Sequence, residues 1–308
     1  MVSTCHGSIV SRQRLPLQRK GVAVHRVSQV SLQPMGQARQ RMSRLKRMQA
    51  QQPWCIYCGA TSLGTNVDHM PPTGMFDLRK RLKGMEYLSC EPCREGTRKM
   101  DAVAGLVSRL YATKPATPAV KAEILECIAG INTNMPEVLG EIRLERDLRG
   151  GRHPAHVALP DAAGVLSFGP LLDSYLSAFA ARVALALHYE ITREILPTSG
   201  GVFAHWMSNH AIVDNEIPES FLAMLGSPTT LTQGKLTLAD QFHYRSIAEG
   251  TARSAHFGAF RVSFAVQAFA VRDFEEMTHI VQGLPAKIFR PGFLKDFSVP
   301  SITNQASP

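Results

Sequence analysis

The chain has 308 residues, of which 44% are hydrophobic and 19% are charged, so it is long and apolar enough to bury a core and to hold two domains. No run reaches the ~18 uninterrupted apolar residues of a membrane span. The most apolar stretch, residues 166–187, is broken by Asp173 and Arg182, which predicts a buried helix and no membrane partner. The sequence also lacks a Gly-x-Ser-x-Gly elbow, a P-loop and a dinucleotide fingerprint, which excludes the commonest hydrolases and nucleotide enzymes.

The formal net charge of +9 comes from the N-terminal part of the chain, because the first 67 residues hold ten Lys or Arg and no Asp or Glu. We predict that residues 1–49 form a basic, disordered arm, since they show no sustained apolar period. Three interpretations stay open: an arm that binds nucleic acid, an organellar transit peptide, and a translation start further along, at a later methionine. A compact signal peptide is missing, so the expected location is the cytoplasm, with an organelle as the alternative.

Two C-x-x-C motifs are the strongest functional signal in the chain, Cys55 with Cys58 and Cys90 with Cys93. Four thiolates at about 2.3 Å from one Zn²⁺ close a tetrahedral structural site. A disulfide framework would need a secretory context, a redox pair would need a βαβ pattern around it, and four buried thiols are the remaining alternative. We therefore predict a structural zinc ion. Cys127 lies outside the set and is predicted to be a small buried hydrophobic residue.

Between the two motifs stands the pair Asp68 and His69. An imidazole beside a carboxylate can act as a general base or bind a second, hydrated metal ion. Because Pro71 and Pro72 follow and cannot extend a helix, we expect the pair at the end of a short strand.

A basic cluster follows this pair and precedes the second C-x-x-C motif. Its members are Arg79, Lys80, Arg81 and Lys83. If the cluster lies beside His69, it would neutralise phosphates and guide a nucleic-acid backbone. The alternative is a solvated charged face without a partner.

Residues 55–101 resemble the zinc-knuckle branch of the HNH endonuclease family. The matching stretches are Cys55–Gly59, Val67–Pro72, Tyr87–Cys93 and Lys99–Asp101. The resemblance implies a ββα-metal fold and metal-dependent hydrolysis of phosphodiester bonds in nucleic acid, with DNA as the expected substrate. It further implies His69 as the general base and Asp68 as a ligand of a catalytic Mg²⁺ or Mn²⁺.

The chain departs from the family pattern at two positions. The family carries Asn or His directly after the last cysteine, where this chain has Arg94, and its middle Asn would fall near Glu86. Arginine has no lone pair for a cation, so Arg94 is expected to contact nucleic acid instead. We predict a metal-dependent, HNH-like endonuclease in which Glu95 or Asp101 supplies the missing oxygen ligand. The alternative is a zinc-dependent protein that cuts weakly or binds nucleic acid without cutting it.

The remainder of the chain alternates between helical and strand patterns. Predicted helices begin near Lys99 and then cover residues 119–129, 136–148, 169–194 and 219–225. Alternating Phe and Val over residues 255–271, with residues 242–245 and 275–284, predict a small antiparallel sheet. The predicted class is α+β, with a zinc-knuckle module at residues 50–112 and a mainly helical C-terminal domain at residues 113–308. The oligomeric state stays open.

Overall fold

The computed structural model describes residues 35–110, 117–145, 156–158, 165–209, 217–280 and 287–298. Most of the predicted arm, residues 1–34, lies outside the described part of the chain. The chain divides into two units, Met1–Gln40 and Arg41–Pro308. The second unit contains the whole predicted zinc-knuckle module.

The described residues form helices and antiparallel strands, so the predicted α+β class is confirmed. The helices are α1 Met35–Gln51, α2 Glu91–Val107, α3 Pro118–Asn134, α4 Pro136–Gly140, α5 Pro170–Thr192, α6 Glu219–Met224 and α7 Phe274–Ile280. The strands are β1 Asn66–His69, β2 Glu86–Ser89, β3 Arg143–Glu145, β4 His156–Ala158, β5 Val165–Ser167, β6 Gly201–Ser208, β7 Thr232–Gln233, β8 Leu236–Thr237, β9 His243–Glu249, β10 Arg253–Phe260, β11 Phe264–Val271 and β12 Lys287–Phe289.

A hairpin followed by a helix positions the cysteine motifs. Strands β1 and β2 pair antiparallel, so that Asp68 lies opposite Tyr87 and His69 opposite Glu86. Helix α2 begins directly after β2, with Cys90 as its N-cap residue and a proline in its first turn, where the missing N–H costs nothing. The order strand, strand, helix agrees with the expected ββα module.

The largest sheet has five antiparallel strands in the order β12-β6-β11-β10-β9. On one face, Phe260 and Phe264 pack edge-on against Phe179 of α5, with ring centroids 5.4 and 6.1 Å apart. On the other face, Phe257 belongs to a smaller buried cluster against which Phe221 of α6 packs. The predicted strand pattern over residues 255–271 is confirmed, and the sheet is buried on both faces because a helix covers each of them.

Helix α5 is the central helix of the core. Among the described helices it alone is long and apolar enough to cross a membrane, but 83% of its most apolar window is buried inside the protein. The Glu141 carboxylate accepts hydrogen bonds from the first-turn amides of Leu171 and Leu172, at 3.2 and 2.9 Å, and so satisfies donors that the helix itself leaves open. The predicted buried helix is confirmed.

One buried cluster joins the two predicted domains. Tyr57 and Met100 of the zinc-knuckle module belong to the same cluster as Phe179 and Leu294 of the C-terminal part. The predicted domains at residues 50–112 and 113–308 therefore share a hydrophobic core.

Two predicted elements differ from the structure. The helix expected over residues 136–148 ends at Gly140, and the following residues form β3, which pairs with β5. The strand expected over residues 275–284 is instead α7 as far as Ile280, because the Asp273 carboxylate accepts a hydrogen bond from the Glu275 amide at 2.9 Å and caps a helix there. Residues 281–286 lie outside the described part.

The expected disorder of residues 35–49 is also wrong, since these residues form most of α1. The sequence of this segment has no sustained apolar period that would predict a helix. In the structure, polar contacts hold the helix in place. Arg44 forms an ion pair with Glu86, and the Gln49 side-chain amide donates to the Gly64 carbonyl at 2.8 Å. Both partners are remote in sequence, so no local pattern could reveal them.

A chain of buried polar side chains runs between α5 and the large sheet. The Ser254 hydroxyl lies 2.7 Å from Nδ1 of His188 and 2.7 Å from Nε2 of His256, whose Nδ1 lies 2.9 Å from the Ser246 hydroxyl. Since a hydroxyl has one proton, Ser254 donates to one imidazole and accepts from the other. Burial lowers the pKa of His188 to about 4 and that of His256 to about 3, so both are neutral in the folded protein at physiological pH.

We expect the free energy of unfolding to fall as the pH drops below about 6.5. Below this pH both histidines become protonated in the unfolded chain, whereas His188 in the folded protein stays neutral down to a pH of about 4. Each histidine should contribute a slope of up to about 1.4 kcal/mol per pH unit in this window. Urea unfolding at a series of pH values, for wild type and for a His188→Asn, His256→Asn variant, measures the difference. Equal pH slopes in the two proteins would contradict the expectation.

Candidate metal centre and the Asp68–His69 site

The four cysteines of the two C-x-x-C motifs meet in one buried cluster. Their sulfur atoms all lie within 4.8 Å of one another, and all four residues are buried. Sulfur atoms bound to one zinc ion at about 2.3 Å lie about 3.8 Å apart, so only a small contraction is needed. The cluster can therefore hold one metal ion and is compatible with structural zinc.

Local backbone geometry directs the sulfurs inward. Cys90 and Cys93 belong to the first turn of α2, while Cys55 and Cys58 lie in a tight turn that ends at Gly59. Gly59 has a φ of +65°, and a Cβ atom there would lie 2.8 Å from the Thr198 backbone nitrogen, so glycine is required. Hydrogen bonding with the Cys58 sulfur raises the pKa of the Cys55 thiol to about 12, and a bound dication would release such protons.

The carboxylate of Asp68 accepts hydrogen bonds from two buried side chains. Its Oδ2 accepts the phenolic hydrogen of Tyr57 at 2.5 Å, and a terminal nitrogen of Arg182 donates to Oδ1 and Oδ2 at 2.8 and 2.7 Å. The guanidinium also lies over the Tyr57 ring, 5.5 Å from its centroid. Burial, and then the charge of Asp68, raise the pKa of Tyr57 well above its ordinary value, so it remains a neutral donor.

The second terminal nitrogen of Arg182 donates to Oδ1 of Asp101 on α2. Arg182 is 0% exposed, whereas the side chains of Asp68 and Asp101 are 16% and 23% exposed. Burial acts to lower the pKa of Arg182. The negative charges of Asp101 and Asp68 outweigh this effect and hold the pKa of Arg182 well above its ordinary value. Burial also raises the pKa of Asp101 to about 7, against the opposing effect of Arg182. Three elements, β1, α2 and α5, thus meet in one ion triad.

His69 lies at the end of β1, as expected, and its side chain is 34% exposed. Its Nε2 lies 3.7 Å from Oε1 of Glu86. Burial, followed by the charge of Arg81, lowers the pKa of His69 to about 4, although Asp68 acts in the opposite direction. The imidazole is therefore neutral at physiological pH and can accept a proton.

Glu95 and Arg94 lie on the exposed side of α2. Glu95 forms an ion pair with Arg98 at 2.6 Å, and Arg94 forms one with Glu91 at 3.3 Å. Within the described residues, no hydrogen bond or ion pair joins Arg94 or Glu95 to Asp68. Of the two predicted substitutes for the missing oxygen ligand, only Asp101 lies beside Asp68, and its partner there is Arg182.

The predicted basic cluster divides into two parts. Arg79, Lys80 and Lys83 are exposed and free to face a partner. The Arg81 side chain is 3% exposed and donates to five backbone carbonyls, including those of Met70 and Pro71 directly after His69. Arg81 thus fixes the loop behind His69 and raises the positive potential there.

Sequence reasoning did not identify Arg182, Tyr57 or Arg44 as site residues. One signal for Arg182 was present, because a single arginine inside an apolar helix needs a buried partner of opposite charge. The partner itself could not be found this way, since Asp68 and Arg182 are 114 residues apart.

No protein-family model matches the chain. Neither a curated protein nor a solved structure matches it significantly. Membership of the HNH family therefore stays a prediction that depends on the motif residues and their arrangement.

Proposed function

We propose that this is a zinc-stabilised, nucleic-acid-binding protein in which an HNH-like module contacts the sugar-phosphate backbone. The proposal is carried by the composition of helix α1, which has five Lys or Arg and no acidic residue. Within it, Arg41, Lys46 and Arg47 are exposed. Arg44 pairs with Glu86, the residue opposite His69 on the hairpin. The part of the helix from Arg41 on is thus tied to the end of the hairpin that bears Asp68 and His69, where phosphates would be neutralised.

Zinc is the metal that we assign to the cysteine cluster. A closed set of four thiolates favours Zn²⁺ over hard cations such as Mg²⁺, which prefer oxygen ligands. This ion would hold the hairpin against α2 and would leave no open coordination position for a substrate. Its role is therefore structural.

Binding of nucleic acid without hydrolysis is favoured over cleavage because the Asp68 carboxylate already has buried hydrogen-bond partners. A catalytic ion at Asp68 would have to compete with the Arg182 guanidinium, which already donates to both carboxylate oxygens, and with the Tyr57 hydroxyl on Oδ2. Arg94 adds a second argument, since the position where the family has a metal ligand carries a guanidinium. Both observations support a module that has kept the fold and the basic surface but not the catalytic ion.

We expect Arg41→Gln, Lys46→Gln and Arg47→Gln together to weaken binding of duplex DNA and to lower its salt dependence. Each lost phosphate contact should reduce the slope of log K against log salt concentration by about 0.9. Fluorescence anisotropy with a labelled duplex, titrated at several salt concentrations, measures this slope. A triple variant at Lys121, Lys235 and Arg253, exposed residues remote from α1 in sequence, is the charge-matched control. If both triple variants keep the wild-type slope, α1 is not the contact surface.

A metal-dependent HNH-type endonuclease is the second candidate, and His69 is the observation that favours it. The imidazole is neutral, partly exposed and at the end of β1, so it can accept a proton. Its pKa of about 4 makes it a weaker base than one whose pKa lies near physiological pH. Plasmid cleavage with Mg²⁺ or Mn²⁺ separates the two candidates. Under the binding proposal neither wild type nor His69→Ala cuts, and both bind DNA. Wild-type cleavage that His69→Ala slows by about 100-fold or more would establish the nuclease instead.

A further inference from the structure

We infer that Arg182 is the resident cation of the Asp68–Asp101 site, so that the catalytic Mg²⁺ or Mn²⁺ implied by the HNH resemblance does not fit there. Which cation the two carboxylates accept is a separate property from nucleic-acid binding. Asp68, the expected ligand of the catalytic ion, has Arg182 as its partner instead.

The Arg182 guanidinium bridges the two carboxylates and occupies the position between them. One terminal nitrogen of Arg182 contacts both oxygens of Asp68 at 2.7 and 2.8 Å, and the other contacts Asp101. The Tyr57 hydroxyl occupies a further acceptor site of Asp68 at 2.5 Å. A divalent ion that bridges Asp68 and Asp101 at the usual distance of about 2.1 Å would have to displace the guanidinium.

The arginine cannot move aside without a change in the core. Its neighbours on α5, Phe179, Ala180, Ala181 and Val183, are all 0% exposed, as is Arg182 itself. Its charge is permanent, because arginine does not lose its proton in proteins. A dication a few ångströms from this fixed charge would be repelled in a region of low dielectric constant. Both position and charge therefore exclude the divalent ion.

The same geometry makes Asp68 and Asp101 a cation site that is revealed when the guanidinium is removed. Two carboxylates that bind adjacent nitrogens of one guanidinium are close together, and oxygen ligands of this kind suit Mn²⁺. Removing Arg182 leaves a space for the ion and removes the fixed positive charge that repels it.

The test is Mn²⁺ binding to the full-length, zinc-loaded protein, measured by electron paramagnetic resonance of free Mn²⁺. We expect wild type to bind no Mn²⁺ that depends on Asp68. Arg182→Ala should bind one equivalent of Mn²⁺, with an affinity at least tenfold higher than that of any Mn²⁺ binding by wild type. The double variant Arg182→Ala, Asp68→Asn should lose this binding. Arg182→Lys is the matched control, because it keeps a positive charge and should still exclude Mn²⁺.

Two results would overturn the inference. One is Mn²⁺ binding by wild type that Asp68→Asn abolishes, since the ion would then coexist with Arg182. The other is a folded Arg182→Ala protein that binds no Mn²⁺. If Arg182→Ala does not fold, wild type and Asp68→Asn still decide the matter: equal, negligible binding supports exclusion of the ion, and binding by wild type alone refutes it.

Discussion

Replacing Cys93 by serine is expected to leave the zinc-knuckle region unfolded and the protein insoluble or rapidly proteolysed. Cys93 is 0% exposed and one of four sulfurs within 4.8 Å of one another. A structural zinc ion contributes about 10–16 kcal/mol of apparent binding free energy in small zinc domains, and much of it is folding free energy. Loss of the zinc ion would therefore remove folding free energy comparable to the total stability of an ordinary domain, which is about 5–15 kcal/mol.

Zinc content and circular dichroism of the purified protein measure this effect. Wild type should contain one equivalent of zinc per chain and lose its fold when a strong chelator removes the metal. Cys127→Ser is the matched control, because Cys127 is only partly buried and its sulfur is not in the cluster. Soluble, folded wild type without any metal would show that the four cysteines are merely packed thiols.

Replacing Arg182 by alanine is expected to lower the free energy of unfolding by about 3–5 kcal/mol. The loss arises because Asp68 and Asp101 are left without their buried counter-ion, with side chains 16% and 23% exposed. Urea unfolding of the zinc-loaded protein, without added divalent metal, measures the change. Arg193→Ala is the matched control at the C-cap of the same helix: Arg193 is 65% exposed and pairs with Glu190, so its loss should cost about 0–1 kcal/mol.

Removing the whole triad separates the charge effect from simple loss of packing. A variant with Arg182→Met, Asp68→Asn and Asp101→Asn keeps most of the volume and leaves no buried charge. It should recover much of the stability that Arg182→Ala loses, because a buried ion network contributes little net stability once all its charges are removed together. If the triple variant is as unstable as Arg182→Ala, packing of the arginine stem, and not its charge, accounts for the loss.

The sequence by itself determined those features whose physics is local. Two C-x-x-C turns of fixed spacing predict a metal cluster, because each turn already brings two sulfurs together. Phe and Val at period two predict β10 and β11, and the long apolar run predicts α5, because side-chain direction follows directly from backbone repeat. His69 at a strand end followed from the prolines after it.

Only the tertiary structure decided what the site can hold. Asp68 and Arg182 are 114 residues apart, and the burial of α5 against the sheet brings the guanidinium to the carboxylate. The same holds for α1, which polar contacts to Glu86 and Gly64 fix in place, and for β6, whose strand pairing with β11 depends on a partner about 60 residues away. Sequence pattern identifies which groups are able to bind a cation. The folded core determines which cation reaches them, because a fixed charge buried without solvent must lie beside its partner.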